Sequence, residues 1–132
     1  MSPRAGTFVK TSTCLLLGVA LACSGAAPED VREISPQELL ASAGQPDAPL
    51  VLDVRSAEEY ASGHVPGARN LSHDQVAARL AELGPTREVV VYCESGKRAA
   101  LAADVLHDAG FTVHHLVGDM SGWRAQGLPI AR

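Results

Sequence analysis

Aromatic and cysteine residues are scarce in this 132-residue chain, which has one tryptophan, two tyrosines, two phenylalanines and three cysteines. Basic residues are not in excess either, because the formal net charge is −4 and no basic stripe carries interleaved aromatic residues. These absences give no support to nucleic-acid binding. No apolar run reaches the roughly 20 residues that a membrane-spanning helix needs, and there is no internal repeat. The length suits a single domain.

The first 22 residues have the composition of an export signal rather than of a folded domain. Arg4 and Lys10 form a basic segment, and a short apolar run follows from Cys14 to Ala22. The run is too short to span a bilayer comfortably, so a retained transmembrane helix is the weaker interpretation. We predict a signal peptide over residues 1–22 and expect export to the periplasmic side of a bacterial envelope.

Two cleavage routes are open for this signal. Ala20-Leu21-Ala22 fits ordinary secretory cleavage, whereas Leu21-Ala22-Cys23 resembles a bacterial lipoprotein signal, the route that we favour. In that form Cys23 carries the lipid that holds the protein on a membrane, and Ser24 favours the outer over the inner membrane. Residues 23–30 are then a lipidated or flexible linker, and residues 31–132 form the folded domain.

Cys93 is the only cysteine of the predicted folded domain. Small exported proteins use cysteines in pairs as disulfides, so a lone cysteine is not expected to be a structural cross-link. The alternative is a buried, inert cysteine. Nine of the eleven basic residues lie outside the signal, against all fifteen acidic ones, which gives a net charge near −6. The cations Lys97 and Arg98 beside Cys93 are therefore a local exception.

Cys93 also stands at a junction between two predicted elements. Residues 88–92 have the composition of a buried strand, and residues 97–109 have helical periodicity. The turn between them directs backbone N–H groups and the positive end of the helix at the sulfur, which favours thiolate over thiol. We interpret Cys93 as a nucleophile. The residues expected to form its loop are Glu94, Ser95, Gly96, Lys97 and Arg98.

Strands and helices are predicted to alternate along the folded domain. The predicted strands are 31–34, 49–53, 69–71, 88–92 and 111–116, and the predicted helices are 35–44, 56–63, 72–83, 97–109 and 118–126. This alternation is typical of an α/β domain with a largely parallel sheet. Sites in such sheets form beyond the carboxyl ends of the strands, where Cys93 and the segment Asp53-Val54-Arg55 are both placed.

Several short segments, in a fixed order, carry a family resemblance. They are Leu52-Asp53-Val54-Arg55, Glu58-Glu59-Tyr60, Gly63-His64-Val65-Pro66-Gly67-Ala68, Tyr92-Cys93-Glu94-Ser95-Gly96-Lys97-Arg98, Gly118-Asp119-Met120-Ser121-Gly122-Trp123 and Gly127-Leu128-Pro129. Together they resemble a rhodanese-like domain over residues 31–132. The resemblance implies one α/β domain whose mainly parallel five-stranded sheet has helices on both faces.

The resemblance implies sulfurtransferase chemistry at Cys93. Its thiolate attacks the outer sulfur of a donor such as thiosulfate, releases sulfite and keeps a persulfide, which a thiol or cyanide then takes in a ping-pong cycle. The alternative is a persulfide carrier or interaction module that delivers sulfur to a partner protein without turnover. Neither function needs a cofactor, and the expected partners are a small sulfur-containing anion and a thiol acceptor. The resemblance implies that residues 94–98 bind the substrate, and we expect Lys97 and Arg98 to add positive charge where a dianionic donor approaches. We expect a monomer.

Loop length separates this chemistry from that of related phosphatases. The loop from Cys93 to Arg98 has C-x4-R spacing, whereas the phosphatases resemble this fold with a C-x5-R loop and a histidine before the cysteine. Tyr92 occupies that position here, so phosphatase activity is disfavoured. Glu94 would repel an anionic donor if it pointed inward, and we expect its side chain to face solvent.

The remaining candidate residues have structural interpretations. Asp53 and Arg55 resemble a family pair, for which an ion pair that fixes the loop is favoured over a catalytic role. His114 and His115 are neighbours on a predicted strand, so their side chains point to opposite faces and cannot easily share a metal ion. No other cysteine or histidine spacing indicates a metal. We expect Trp123 to pack the last helix against the sheet.

Overall fold

The computed structural model describes residues 31–132. The predicted signal peptide (1–22) and linker (23–30), with the candidate lipidation site Cys23, lie outside the described residues. The strands are β1 Arg32–Ile34, β2 Leu50–Asp53, β3 Arg69–Asn70, β4 Glu88–Tyr92 and β5 Thr112–Leu116. The α-helices are α1 Pro36–Ser42, α2 Ala57–Ser62, α3 Lys97–Asp108 and α4 Asp119–Ala125, and a 3₁₀ helix spans Ala77–Leu83.

One five-stranded sheet organises these elements, in the order β1-β5-β4-β2-β3. Every pairing in it is parallel. The predicted α/β class and parallel sheet are confirmed. None of the helices in residues 31–132 combines the length and apolarity that crossing a membrane requires.

The central strand β4 is buried on both faces, as its continuous apolar sequence predicts. Alternate side chains of a strand point to opposite faces, and β4 accordingly contributes to two separate apolar clusters. Val89 and Val91 pack with Leu106 of α3 on one face. Val90 packs with the fully buried Trp123 of α4 on the other. Helices therefore cover both faces of the sheet, and the expected packing of the last helix by its tryptophan is observed.

Two helix starts follow from the sequence in detail. The hydroxyls of Ser35 and Ser56 each accept a hydrogen bond from the backbone N–H three residues later, and the carboxylates of Glu38 and Glu59 each accept one from the backbone N–H of the capping serine. Such capping boxes satisfy N–H groups that a helix leaves without partners. Serine followed three residues later by glutamate is the sequence signature of such a start, and it marks both helices in the sequence.

The predicted helix over residues 72–83 is wrong in its first half and in its type. A turn closed by the Gln75 N–H and the Ser72 carbonyl (2.8 Å) comes first, and the Ser72 hydroxyl bonds the Asp74 carboxylate at 2.6 Å. The next N–H, of His73, is bonded outside the segment, to the Val54 carbonyl at 3.0 Å. Only a 3₁₀ helix follows, broken at Arg79, where φ is −120°. Val76 and Leu83 are buried all the same.

Candidate active site

Cys93 lies directly beyond the carboxyl end of β4, at the edge of the sheet where β2 also ends. The register pairs Asp53 with Tyr92, and the Val54 N–H donates to the Tyr92 carbonyl at 3.0 Å. The segment after β2 and the segment after β4 therefore leave the sheet side by side. The Cys93 side chain is nearly enclosed, with 2 % of its surface exposed.

The sulfur of Cys93 is hydrogen-bonded by the main chain of its own loop. The Gly96 N–H donates to Cys93 Sγ at 3.0 Å. Gly96 is also the N-cap of α3 and supplies no side-chain cap, so the N–H groups of the first turn of α3 lack intrahelical partners. Their partial positive charge favours an anion at this end of the helix. The arrangement suits a thiolate or another anionic sulfur.

Gly96 is placed in a backbone conformation that other residues rarely adopt. Its φ is 109°, and a Cβ atom there would lie 3.1 Å from Asp119 Oδ2 and 3.4 Å from His115 Cε1. We expect Gly96→Ala to shift the N–H away from the sulfur and to slow alkylation of Cys93 by iodoacetamide about tenfold.

Gly44→Ala is the matched control for this substitution. Gly44 also has a left-handed φ, of 78°, but a Cβ atom there meets nothing within 4 Å. It lies after α1, outside the Cys93 loop. Equal alkylation rates in Gly96→Ala and Gly44→Ala, with both variants folded by circular dichroism, would contradict the role given to the Gly96 N–H.

The predicted ion pair of Asp53 and Arg55 is present and buried, with side-chain exposures of 0 % and 1 %. Arg55 Nε and Nη2 donate to the Asp53 carboxylate at 2.7–3.1 Å, and Nη2 also donates to the Gly63 carbonyl at 2.7 Å. Burial alone would lower the pKa of Arg55, but the bonds and charge of Asp53 raise it overall. Arg55 stays charged, and its hydrogen bonds tie the end of β2 to the turn after α2.

Tyr92 extends this network across the sheet. Its hydroxyl donates to Asp53 Oδ2 at 2.8 Å and accepts the Val65 N–H at 3.0 Å. Burial, and then the negative charge of Asp53, raise the pKa of Tyr92 far above its usual value. The phenol therefore remains protonated and able to donate. Tyr92, the residue before the nucleophile, thus links Asp53 at the end of β2 to the backbone at Val65.

Glu94 does not simply face solvent, as the sequence analysis expected. It is about one-third exposed (36 %) and accepts a hydrogen bond from Arg55 Nη1 at 3.2 Å. Arg124 of α4 forms a second ion pair with the same carboxylate. The negative charge beside the nucleophile is thus held between two guanidinium groups.

The two cations of the loop have different surroundings. Arg98 Nη1 and Nη2 donate to the Glu59 carboxylate at 2.7 and 2.9 Å, and the Arg98 hydrogen bonds lower the pKa of Glu59 to about 2. The expectation that Arg98 offers its charge to a donor is therefore weakened. Lys97 and Ser95 are exposed on the rim of the loop, and within residues 31–132 no carboxylate pairs with Lys97.

Asp119 belongs to the site and was not singled out from the sequence. Asp119 Oδ1 accepts the Cys93 N–H at 3.0 Å, and His115 Nε2 lies 2.9 Å from the same oxygen. Helix α4 adds two backbone bonds, from Met120 N–H to the Cys93 carbonyl and from Ser121 N–H to the Glu94 carbonyl. The sequence could have indicated Asp119 because it follows closely after β5, and the carboxyl ends of all parallel strands lie at the same edge of the sheet.

His114 and His115 contact different carboxylates, as expected for neighbours on a strand. His114 Nε2 lies 3.6 Å from Glu88, whereas His115 contacts Asp119. Across residues 31–132 no group of three or more histidine, cysteine or acidic side chains is placed to hold a metal ion.

Comparison with known proteins gives a consistent assignment. The sequence matches the family model of the rhodanese-like domain over residues 35–126. A sulfurtransferase of Allochromatium vinosum is 34 % identical over 101 residues, which cover 76 % of this chain and 94 % of that protein. A thiosulfate sulfurtransferase of Pseudomonas aeruginosa superposes with a TM-score of 0.69 at 32 % identity, covering 76 % of this chain and 19 % of that one.

A further relative is longer than this chain. The HTH-type transcriptional regulator Rv0324 of Mycobacterium tuberculosis is 41 % identical over 117 residues, which cover 86 % of this chain but only 50 % of that protein. The chain thus spans about half of that regulator, and the likeness concerns the shared part alone.

Proposed function

The chain belongs to the rhodanese-like family, and from this membership and its sulfurtransferase relatives we propose that it transfers sulfane sulfur through a persulfide on Cys93. The observation that carries the proposal is the hydrogen bond from the Gly96 N–H to Cys93 Sγ. It places a main-chain donor on the sulfur that must be anionic to attack the donor molecule. In the persulfide the negative charge lies on the outer sulfur, next to the same end of α3.

The proposed cycle has two displacements and needs no oxidant. The Cys93 thiolate attacks the outer sulfur of thiosulfate, a new S–S bond forms, and the S–S bond of the donor breaks as sulfite leaves with the electron pair. An acceptor thiolate or cyanide then attacks the outer sulfur of the persulfide, and the Cys93 thiolate leaves. Main-chain N–H groups stabilise both anions, so no general base is required.

A persulfide carrier is the second candidate, and the charges around the loop favour it. Glu59 pairs with Arg98, and Glu94 pairs with Arg124 and with Nη1 of Arg55. A small dianionic donor therefore meets little uncompensated positive charge apart from Lys97. If the export signal of residues 1–22 is used, the carrier or enzyme acts on the periplasmic side, held at the membrane through Cys23 when that residue is lipidated.

The deciding experiment measures loading and turnover on the same preparation. The protein is incubated with thiosulfate, and the mass gain of one sulfur atom is located on the peptide that contains Cys93. Steady-state formation of thiocyanate after cyanide is added supports the enzyme, whereas loading without turnover supports the carrier. If thiosulfate, polysulfide and a low-molecular-weight persulfide all fail to load Cys93, both functions are rejected.

We expect Glu94→Gln to raise kcat/KM for thiosulfate about tenfold, a change of roughly 1.4 kcal/mol. The substitution removes the negative charge beside the nucleophile and frees the charges of Arg55 and Arg124 for a dianion. The amide oxygen can still accept hydrogen bonds from both arginines, so the loop is expected to keep its shape.

Glu82→Gln is the matched control, because it neutralises a glutamate whose exposed ion pair with Arg79 lies on the 3₁₀ helix, outside the loop. A neutral persulfide donor supplies a second comparison, since its turnover should gain little from Glu94→Gln. Unchanged or lower kcat/KM for thiosulfate in Glu94→Gln would show that Glu94 does not oppose the donor.

A further inference from the structure

Asp119 has a backbone conformation that is uncommon for residues other than glycine. It is the only non-glycine residue among residues 31–132 with a positive φ, at 52°. The left-handed region brings Cβ close to the backbone, and aspartate tolerates it better than most residues but still at a cost in free energy. Asp119 is also 97 % buried, since 3 % of its surface is exposed. Contacts within the site must therefore hold this buried carboxylate and its backbone in place.

Asp119 contacts two residues of the Cys93 loop. Its Oδ1 accepts the Cys93 N–H at 3.0 Å, and its Oδ2 lies 3.1 Å from the point that a Cβ on Gly96 would occupy. Gly96 in turn donates its N–H to the Cys93 sulfur. The carboxylate is thus packed against both residues that position Sγ.

His115 holds the other side of the same carboxylate. Its Nε2 lies 2.9 Å from Oδ1 and 3.1 Å from Oδ2. A carboxylate only accepts hydrogen bonds, so Nε2 carries the hydrogen in either protonation state of the ring. Protonation at Nδ1 then changes the charge of the pair and leaves its geometry unchanged.

We propose, on the basis of the proposed sulfur transfer, that Asp119 and His115 are positioning residues. They hold the Cys93 loop in place, and the net charge of the pair acts on the anionic sulfur of that loop. With His115 protonated the pair is neutral, and anionic sulfur on Cys93 is accommodated. With His115 neutral the pair carries one negative charge, which repels the thiolate, the persulfide and an anionic donor alike.

Three carboxylates near His115 favour its protonated form. Asp119 contacts it from α4, Glu33 is its register partner on β1, and Asp104 of α3 lines the same cavity. The Cys93 loop lies on the remaining side, where anionic sulfur acts in the same direction. The hydrogen bond to Asp119 raises the pKa of His115 above its ordinary 6.5 despite partial burial, and the charges of Asp119 and Glu33 add to this effect.

The sign of the pH effect follows. Below the pKa of His115 the pair is neutral, and as the pH rises through that raised value the pair becomes negative. Relative to a variant without the imidazole, loading of Cys93 is therefore favoured at low pH, and the advantage is lost in a window above 6.5.

The test compares rates of persulfide formation from thiosulfate across this window. His115→Gln keeps a donor to Asp119 and removes the ionisable ring. We expect it to load about fivefold more slowly than the unmodified protein at low pH and to match it at high pH. Asp119→Asn keeps an acceptor for the Cys93 N–H and leaves the pair neutral at high pH, so it should load there as fast as the unmodified protein loads at low pH. The double variant has a neutral pair at every pH and should also load like the unmodified protein at low pH.

A purely structural role would lower the rate by the same factor at every pH, and that result overturns the proposal. In a second measurement the His115 ring is titrated by NMR in the persulfide-loaded protein and in Cys93→Ser, whose hydroxyl carries no charge. Coupling is reciprocal, so the persulfide should raise the pKa of His115, and an unchanged titration also overturns the proposal. Failure of Cys93 to load at any pH would instead reject the proposed function.

Discussion

Cys93→Ser is expected to reduce sulfur transfer to the uncatalysed background, a loss of about 10³-fold or more. A serine oxygen cannot form the S–S bond that stores the transferred atom, and Cys93 is the only cysteine in residues 31–132. The main-chain donor at Gly96 has no persulfide to stabilise in this variant. The measurement is thiocyanate formation from thiosulfate and cyanide, with intact-protein mass before cyanide is added.

The fold of Cys93→Ser should be retained, which separates chemistry from stability. Serine differs from cysteine by one atom, and its hydroxyl can accept the Gly96 N–H that now binds Sγ. We therefore expect a thermal midpoint close to that of the unmodified protein. Residual transfer above one-tenth of the original rate would mean that another group carries the sulfur.

Asp53→Ala is expected to lower the free energy of unfolding by about 3–5 kcal/mol. The substitution leaves the buried Arg55 guanidinium without its main carboxylate and removes the acceptor of the Tyr92 hydroxyl. A charge that is buried and unpaired costs far more than the pair itself contributes. Urea unfolding monitored by circular dichroism measures the loss, provided that the slope of the transition is unchanged.

Two variants make this result specific. Glu82→Gln breaks the exposed pair with Arg79 and should cost less than about 1 kcal/mol. Asp53→Ala combined with Arg55→Met removes both charges and should recover part of the loss, since no unpaired charge then remains. A cost below about 1 kcal/mol for Asp53→Ala alone would contradict the structural role given to the pair.

The sequence predicted most of the fold because local signals agreed with one another. The apolar run before Cys93 became the central strand, and serine–glutamate spacing predicted the starts of α1 and α2 correctly. The prediction for residues 72–83 failed because the first residues close a turn through the Gln75 N–H and the Ser72 carbonyl instead of starting an α-helix. A turn of this kind is not visible in apolar periodicity.

The site was predicted less completely, because much of it is assembled by contacts between distant residues. Arg98 meets Glu59, 39 positions away, and Glu94 meets Arg124, 30 positions away. No local pattern predicts either pair, so the partners of Arg98 and Glu94 were missed in the sequence analysis. Asp119 reaches Cys93 in the same way, across 26 positions, whereas the Asp53–Arg55 pair spans only two.

The main-chain origin of the bond to sulfur has an evolutionary consequence. Because the Gly96 N–H reaches Sγ without help from a side chain, the exposed rim positions Ser95 and Lys97 can be exchanged without disturbing it. Selection can therefore retune which donors and acceptors approach while the nucleophile stays intact. The constraint falls instead on Gly96 and on Asp119 and His115, which pack against it. Related sequences would therefore vary at the exposed loop positions and keep these three residues.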